Sequence, residues 1–185
     1  MDVIDETGVR ARFTALVGEV ADPLRRFLAR RTDADTAEDV LADTLLVLWR
    51  RIREVPAAPG EALPWAFGVA HRTLANAERS ARRRDRLAAR IAAIDPPQDV
   101  PSPADSDADD GAAVRAALAG LRPADAEVLR LWAWEGLEAA AIGRVLSISP
   151  NAASIRLHRA KARLREELGK TAVAGGHVDG EGRRR

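Results

Sequence analysis

The chain of 185 residues contains no cysteine, which excludes a disulfide framework and any thiolate metal site. Its three histidines, His71, His158 and His177, lie far apart, two in basic segments and one near the C-terminus. No metal and no cofactor are therefore expected. No glycine-rich phosphate loop and no nucleophile motif is present, so the chain does not read as an enzyme. No apolar run approaches the roughly 18 residues of a membrane-spanning helix. The N-terminus, MDVIDETGVR, is acidic and lacks the apolar stretch of a signal peptide. A cytoplasmic protein without membrane insertion is expected. Alternating β-branched runs are missing, and aromatics make up only 4% of the chain. Ala, Leu and Val dominate, and Ala and Leu favour helices. The only lysines are Lys161 and Lys170, so arginine carries nearly all the positive charge. There is no internal repeat.

What is present is 46% hydrophobic residues, enough for a core, in a length that allows one or two domains. The net charge of +1 points to no partner by itself. Its distribution is more informative, because acids and bases are segregated along the chain. The first helical pattern covers 8–31, with Phe13, Leu16, Val17, Val20, Leu24, Phe27 and Leu28 at helical spacing. Pro23 sits inside it and is expected to kink or divide it. A polar turn follows in which Asp35 or Thr36 could cap the next helix, 37–53. There Ala37, Val40, Leu41, Thr44, Leu45 and Leu48 share a face, while Glu38, Asp39 and Asp43 lie away from it. Paired acids suggest an acid/base or metal site, but no other ligand joins them. A solvated helix start, where acids favour the dipole, is the simpler reading; a docking face for a basic partner is the sharper one.

Residues 54–63, EVPAAPGEAL, read as a loop because two prolines and a glycine cannot continue a helix. A third helix spans 64–94, opening on Pro64-Trp65, with Trp65, Val69, Arg72, Thr73 and Asn76 three or four apart. Arg79, Arg82, Arg83, Arg84, Arg86 and Arg90 follow. Such a run suits a nucleic-acid backbone, whose phosphates it neutralises. Trp65 and Phe67 read as core more readily than as platforms for unpaired bases. Residues 95–111, DPPQDVPSPADSDADDG, contain no basic residue and cannot bury apolar area. They read as a flexible acidic linker, whose 17 residues could span about 55 Å when extended.

A second helical domain follows at 112–169. Val114, Leu118 and Leu121 suggest a short helix that ends before Pro123, and 123–134 forms another, closed by Glu135-Gly136. Residues 139–146 carry Ala141, Ile142, Val145 and Leu146 on one face. Ser147-Ile148-Ser149-Pro150 is then a tight turn in which Ser149 can cap a helix and Pro150 suits its first position. The next helix is basic until Glu166. A short helix, a tight turn and a basic helix make a helix-turn-helix, whose second helix enters the DNA major groove. The alternative is an ordinary helical hairpin with a solvated basic face. At about 100° per residue, Ala153, Leu157, Ala160 and Leu164 share one stripe and should face the core. Asn151, Ile155, His158, Arg159 and Ala162 then point outward. Ile155 is either a contact to a thymine methyl or, in a rotated helix, part of the core. Arg159 is the first choice for contact with DNA, followed by Asn151, Ser154, Arg156 and His158, with Ser149 at the helix start. A mobile tail is expected at 170–185.

These blocks together resemble the bacterial RNA polymerase sigma factors of the sigma-70 family, in the extracytoplasmic-function group. The resemblance rests on AEDVLADTLLVLW (37–49), PWAFGVAHRTLAN (64–76) and LRPADAEVLRLWAWEGLEAAAIGRVLSISPNAASIRLHRAKARLR (121–165), and covers about 13–168. It implies an all-α fold of two small helical domains, region 2 at 8–94 and region 4, winged-helix-like, at 112–169. It implies that Glu38, Asp39 and Asp43 dock on the β′ clamp helices of core RNA polymerase, with the β flap a further contact. It implies that Trp65, His71, Arg72, Asn76, Arg79, Arg82 and Arg83, with the loop 54–63, capture the −10 element on the non-template strand. Flipping a base there costs a few kcal/mol, so enclosing side chains are needed. The second domain would read the −35 element as duplex, and the acidic linker would thread into the RNA exit path. An anti-sigma factor is a further implied partner, and the free chain should be a monomer. Three positions depart from the family pattern: Ala42 where a polar residue, often Gln, is usual, His71-Arg72 in place of Arg-Asn, and Ser147 where Gly is frequent. Ser147 is expected to ask for a different turn geometry. A stand-alone helix-turn-helix regulator explains the second domain but leaves the acidic helix and the 65–90 helix unused.

Overall fold

The computed structural model describes residues 6–92 and 112–175, and every regular element among them is helical. None of these helices is long and apolar enough to cross a membrane. The chain forms two compact units. The first holds the three long helices between Glu6 and Ala92, and the second holds Ala112–Ala119, Pro123–Ala133 and the long C-terminal helix Pro150–Gly175; the helix Ala139–Leu146 divides between them, with 143–148 grouped in the first. With no strand among the described residues, the likeness of the second unit to a winged helix extends to its helices alone.

Helix α1, Glu6–Ala29, buries Leu16, Val20, Leu24, Phe27 and Leu28, the stripe set by their three- and four-residue spacing. Pro23 lies inside α1 and does not divide it. The N–H that proline lacks would have bonded the carbonyl of Glu19, and the exposed Glu19 and Asp22 leave that turn open to water. Helix α2, Ala34–Arg50, starts earlier than its sequence suggests. The cap is Asp33 rather than Asp35 or Thr36: its Oδ1 accepts the Thr36 N–H at 2.9 Å. That bond holds the Asp33 carboxyl below the usual carboxylate range. The helix ends at Arg50 rather than near 53, and a short 3-10 turn, Ile52–Glu54, follows with Ile52 buried. Arg51 donates from Nε to Glu54 at 3.0 Å. This bond lowers the Glu54 carboxyl and raises the Arg51 guanidinium from their ordinary values.

Helix α3, Ala62–Ala92, packs on both α1 and α2, which also pack on each other. Phe67 of α3 meets Phe27 of α1 with ring centroids 5.2 Å apart. Both are almost fully buried, and truncating either to Ala would cost about 3–5 kcal/mol. Beyond Leu74 the helix leaves this packing, and every described side chain from Arg82 onward is exposed. The predicted linker, 95–111, lies outside the described residues.

The second unit begins with α4, Ala112–Ala119, and α5, Pro123–Ala133, whose first position is Pro123. Gly136, with φ of +66°, closes the turn after α5, where the Leu137 N–H reaches the Leu131 carbonyl at 3.1 Å. Helix α6 is Ala139–Leu146, as its periodicity predicts. Helix α7, Pro150–Gly175, is longer than expected. The mobile tail predicted from 170 is corrected for 170–175, which continue the helix. One glycine, Gly169, costs a helix only about 1 kcal/mol, and the residues after it contain no proline. The last ten residues lie outside the described part of the chain. Leu118, Leu121, Ala126, Leu129 and Ala160 form the buried cluster that joins α4, α5 and α7, with Leu157 and Leu164 packed on its edge.

Candidate nucleic-acid and protein interfaces

The turn between α6 and α7 is held by backbone geometry as much as by side chains. Ser147 adopts φ of +55°, the left-handed conformation that glycine takes most easily. The expectation that serine here imposes a different turn is therefore corrected: the residue accepts the strain that a glycine would avoid. The Ile148 N–H bonds the Gly143 carbonyl at 2.9 Å, which closes the end of α6. Ser149 Oγ then accepts the Ala152 N–H at 3.1 Å, with Pro150 at the first position of α7.

The azimuth of α7 follows from its buried side. Ala153 and Ala160 are fully buried, and Leu157 and Leu164 lie against the cluster. Ile155 is 45% exposed, so the rotated alternative in which it joins the core does not apply. Asn151, Ile155 and His158 form one outward stripe, flanked by the exposed Ser154 and Arg159, with Ser149 at its N-terminal end. Arg156 stands apart. It is half-buried and sits roughly 100° around the helix from Ile155. The geometry thus offers a polar surface with one central apolar side chain on a capped helix. Polar side chains can reach base edges, and an isoleucine fits a methyl group but no hydrogen-bonding edge.

In the first unit the regular course of α3 sorts the predicted residues. Trp65, Arg72, Asn76, Arg79 and Arg83 fall within about 60° of one line on the helix. Arg86 and Arg90 prolong that line. His71 and Arg82 lie on a flank, His71 half-buried and Arg82 paired with Glu78 at 3.5 Å. Arg79 donates to Asn76 Oδ1, and Arg83 donates to Ser80 Oγ at 3.0 Å. Trp65 is only half-buried, with the Arg51 guanidinium 5.4 Å from its ring. It is therefore placed at the edge of the core rather than within it, whereas Phe67 is core. Next to Trp65 is the loop that contains Gly60, at φ of +76°.

The acids of α2 divide in two. Asp39 and Asp43 border an open groove of about 680 Å³ between α2 and α3, together with Asn76 and Arg84. Glu38 turns to α1 instead, where its Oε1 accepts from Arg25 Nε at 3.3 Å. Sequence reasoning passed over two apolar neighbours on this helix. Leu46 is 45% exposed one turn beyond Asp43, and Trp49 is 38% exposed with its ring edge-on to Phe13 at 5.0 Å. Acids beside exposed apolar side chains make a surface suited to a protein with basic and apolar groups. A strict count along the helix could have found Leu46, since it keeps the spacing of Asp39 and Asp43 and not that of Leu41 and Leu48. Exposed Trp132 and Trp134 at the end of α5 were also passed over.

Comparison with known proteins bears on both units. The model for sigma-70 region 2 matches 16–84, and that for sigma-70 region 4 matches 111–164. The chain is 33% identical over 165 residues to the ECF RNA polymerase sigma factor SigL of Mycobacterium tuberculosis, covering 87% of this chain and 93% of that protein. Among solved structures it is similar to the sigma factor RpoE in complex with the anti-sigma factor NepR from Bartonella quintana. There the TM-score is 0.60 at 22% identity, over 85% of this chain and 96% of that one. It is also similar to CnrH in complex with the cytosolic domain of CnrY, with a TM-score of 0.54 at 22% identity, over 85% of this chain and 88% of that one. At these identities the solved structures speak for the fold alone.

Proposed function

Because this chain belongs to the extracytoplasmic-function group of the sigma-70 family of RNA polymerase sigma factors, we propose that its two helical units divide the work of promoter recognition between them. The second unit, within the proposed limits 112–169, reads the −35 element as duplex. Ser149, Asn151, Ser154, Ile155, His158 and Arg159 contact the major groove or its phosphates, and Arg156 contacts the backbone from the flank. The first unit, within 8–94, captures the −10 element. The line from Trp65 through Arg72, Asn76, Arg79 and Arg83 follows the non-template strand, with His71 and Arg82 beside it. Arginines neutralise phosphates there, and the half-buried Trp65 beside its loop offers a flat surface to an extruded base.

The chain supplies no catalytic group; polymerisation is the work of the core enzyme. Asp39 and Asp43, with Leu46 beside them, dock on the β′ clamp helices, and the second unit meets the β flap. Glu38 acts at one remove, by holding Arg25. An anti-sigma factor would compete for such surfaces. The similar sigma factor RpoE of Bartonella quintana is itself solved in complex with the anti-sigma factor NepR. The factor works in the cytoplasm as a monomer until it meets polymerase. The observation that carries this reading is the azimuth of α7, which sets a capped basic helix against its core with Ala153 and Ala160 inward and Ile155 outward.

Run-off transcription with purified core polymerase tests it, on promoters taken from start sites mapped after overexpression. A transcript that depends on this chain and on both elements is expected. DNA binding without a promoter-dependent transcript would instead favour a stand-alone regulator.

A further inference from the structure

Two side-chain ties join α5 to α7 outside the apolar cluster. Asp125, in the first turn of α5, is 3% exposed. Its Oδ2 accepts from Arg122 Nε at 3.0 Å and from Arg163 Nη1 of α7. Near the other end of α5, Lys161 Nζ lies 3.4 Å from the centroid of the Trp132 ring. Lys161 and Arg163 are two residues apart, and so leave α7 roughly 160° from each other. Between them runs the inward apolar stripe of Leu157, Ala160 and Leu164, of which Ala160 is buried and the two leucines pack on the edge of the cluster. The two ties therefore grip the stripe from opposite sides.

Contacts among Ala and Leu side chains are short-ranged and nearly indifferent to direction, so an apolar stripe tolerates small rotations about the helix axis. A hydrogen-bonded ion pair does not, because its geometry fails within a few tenths of an ångström. A rotation of about 20° moves a side-chain tip on α7 by about 2 Å, which is enough to lose a contact with a base edge. Arg163 is eight residues beyond Ile155, on the same unbroken helix, so what fixes one fixes the other.

We propose that Asp125 is a positioning residue for reading of the −35 element: through Arg163, with Arg122 as its second partner, it holds the azimuth of α7 and so sharpens the choice of base. This rests on the reading that α7 contacts the −35 duplex. It assigns to a buried carboxylate on α5 an effect on residues that it never touches.

The test uses the full chain with core polymerase and a promoter library randomised in the −35 element, with transcripts counted for each member. Asp125→Asn and Arg163→Gln should each lower the ratio of the preferred sequence to its single-base variants by about fivefold. The double variant should lower it no further than the stronger single one, as two halves of one tie require. Transcription from the preferred member should survive at a reduced level. Unchanged ratios with a lower melting temperature would overturn the proposal, since Asp125 would then serve stability alone. A uniform loss over all library members would also overturn it, because it would make Arg163 a phosphate contact. If Asp125→Asn fails to fold, Arg163→Gln decides, since it alters a side chain that is 41% exposed. A wild-type factor with no −35 preference would refute the role of α7 itself, a failure distinct from that of the tie.

Discussion

Ile155→Ala separates reading from folding at one position. The side chain is 45% exposed in the free protein, so truncation gives up only part of the 1.5–3 kcal/mol that full burial of an isoleucine contributes (about 1 kcal/mol). Alanine is also the better helix former, by a few tenths of a kcal/mol. The net loss of stability should stay under about 1 kcal/mol, a fall in melting temperature of no more than about 8 °C for a unit of this size. The effect on DNA should be larger in consequence. An apolar contact to a thymine methyl is worth about 1 kcal/mol, so the preference for thymine at one −35 position should fall about fivefold. The assay pairs thermal melting with base preference in a randomised −35 library. A fall of more than about 8 °C with unchanged preference would refute the reasoning, since Ile155 would then be packing rather than reading.

Other expectations follow from the first unit. Asp39→Asn with Asp43→Asn should weaken binding to core polymerase by about tenfold in a titration at low salt, with less effect at high salt, and leave the melting temperature unchanged. Thr44 is fully buried in α2, and its Oγ1 has no hydrogen-bond partner among the described residues. Thr44→Val keeps the shape and removes the stranded hydroxyl, so it should stabilise the unit by about 1 kcal/mol in denaturant unfolding. The Asp33 carboxyl is held low by the Thr36 N–H. Its cap is therefore complete above the ordinary carboxylate range, near pH 4, and is lost as pH falls through the lowered folded value. Asp33→Asn keeps a capping oxygen without the titration, so its melting temperature should gain on the wild type as the solution is acidified below about pH 4.

What the sequence makes legible is what depends on local periodicity. The bounds of α6 and the inward stripe of α7 follow from apolar spacing, and the Ser149-Pro150 start of α7 follows from cap chemistry. Choices among near-equivalent neighbours are less legible. Asp33, Asp35 and Thr36 can all cap, and only the path of the chain after α1 makes Asp33 the one that reaches the Thr36 N–H. The left-handed Ser147 is hidden for a similar reason: tertiary constraint imposes a conformation that its side chain disfavours. Gly169 reads as the end of helical order, yet one glycine is too small a penalty to stop α7. Least legible are the ties between distant residues. Asp125 and Arg163 are separated by 38 positions, and nothing in either local pattern announces the other. The same holds for Glu38, which shares a helix with Asp39 and Asp43 but bonds to Arg25 of α1. The residues matched to −10 contact share a helix, and a count at about 100° per residue already sets His71 and Arg82 off the common line; what the sequence does not show is that His71 is half-buried and that Arg82 pairs with Glu78.

Permanganate reactivity of −10 thymines tests the central claim most directly, because it reports strand opening rather than binding. The holoenzyme formed from this chain and core polymerase should make those thymines reactive, while core polymerase alone and the chain alone should not. Thymines that stay protected in the holoenzyme, on DNA that the chain demonstrably occupies, would contradict the account.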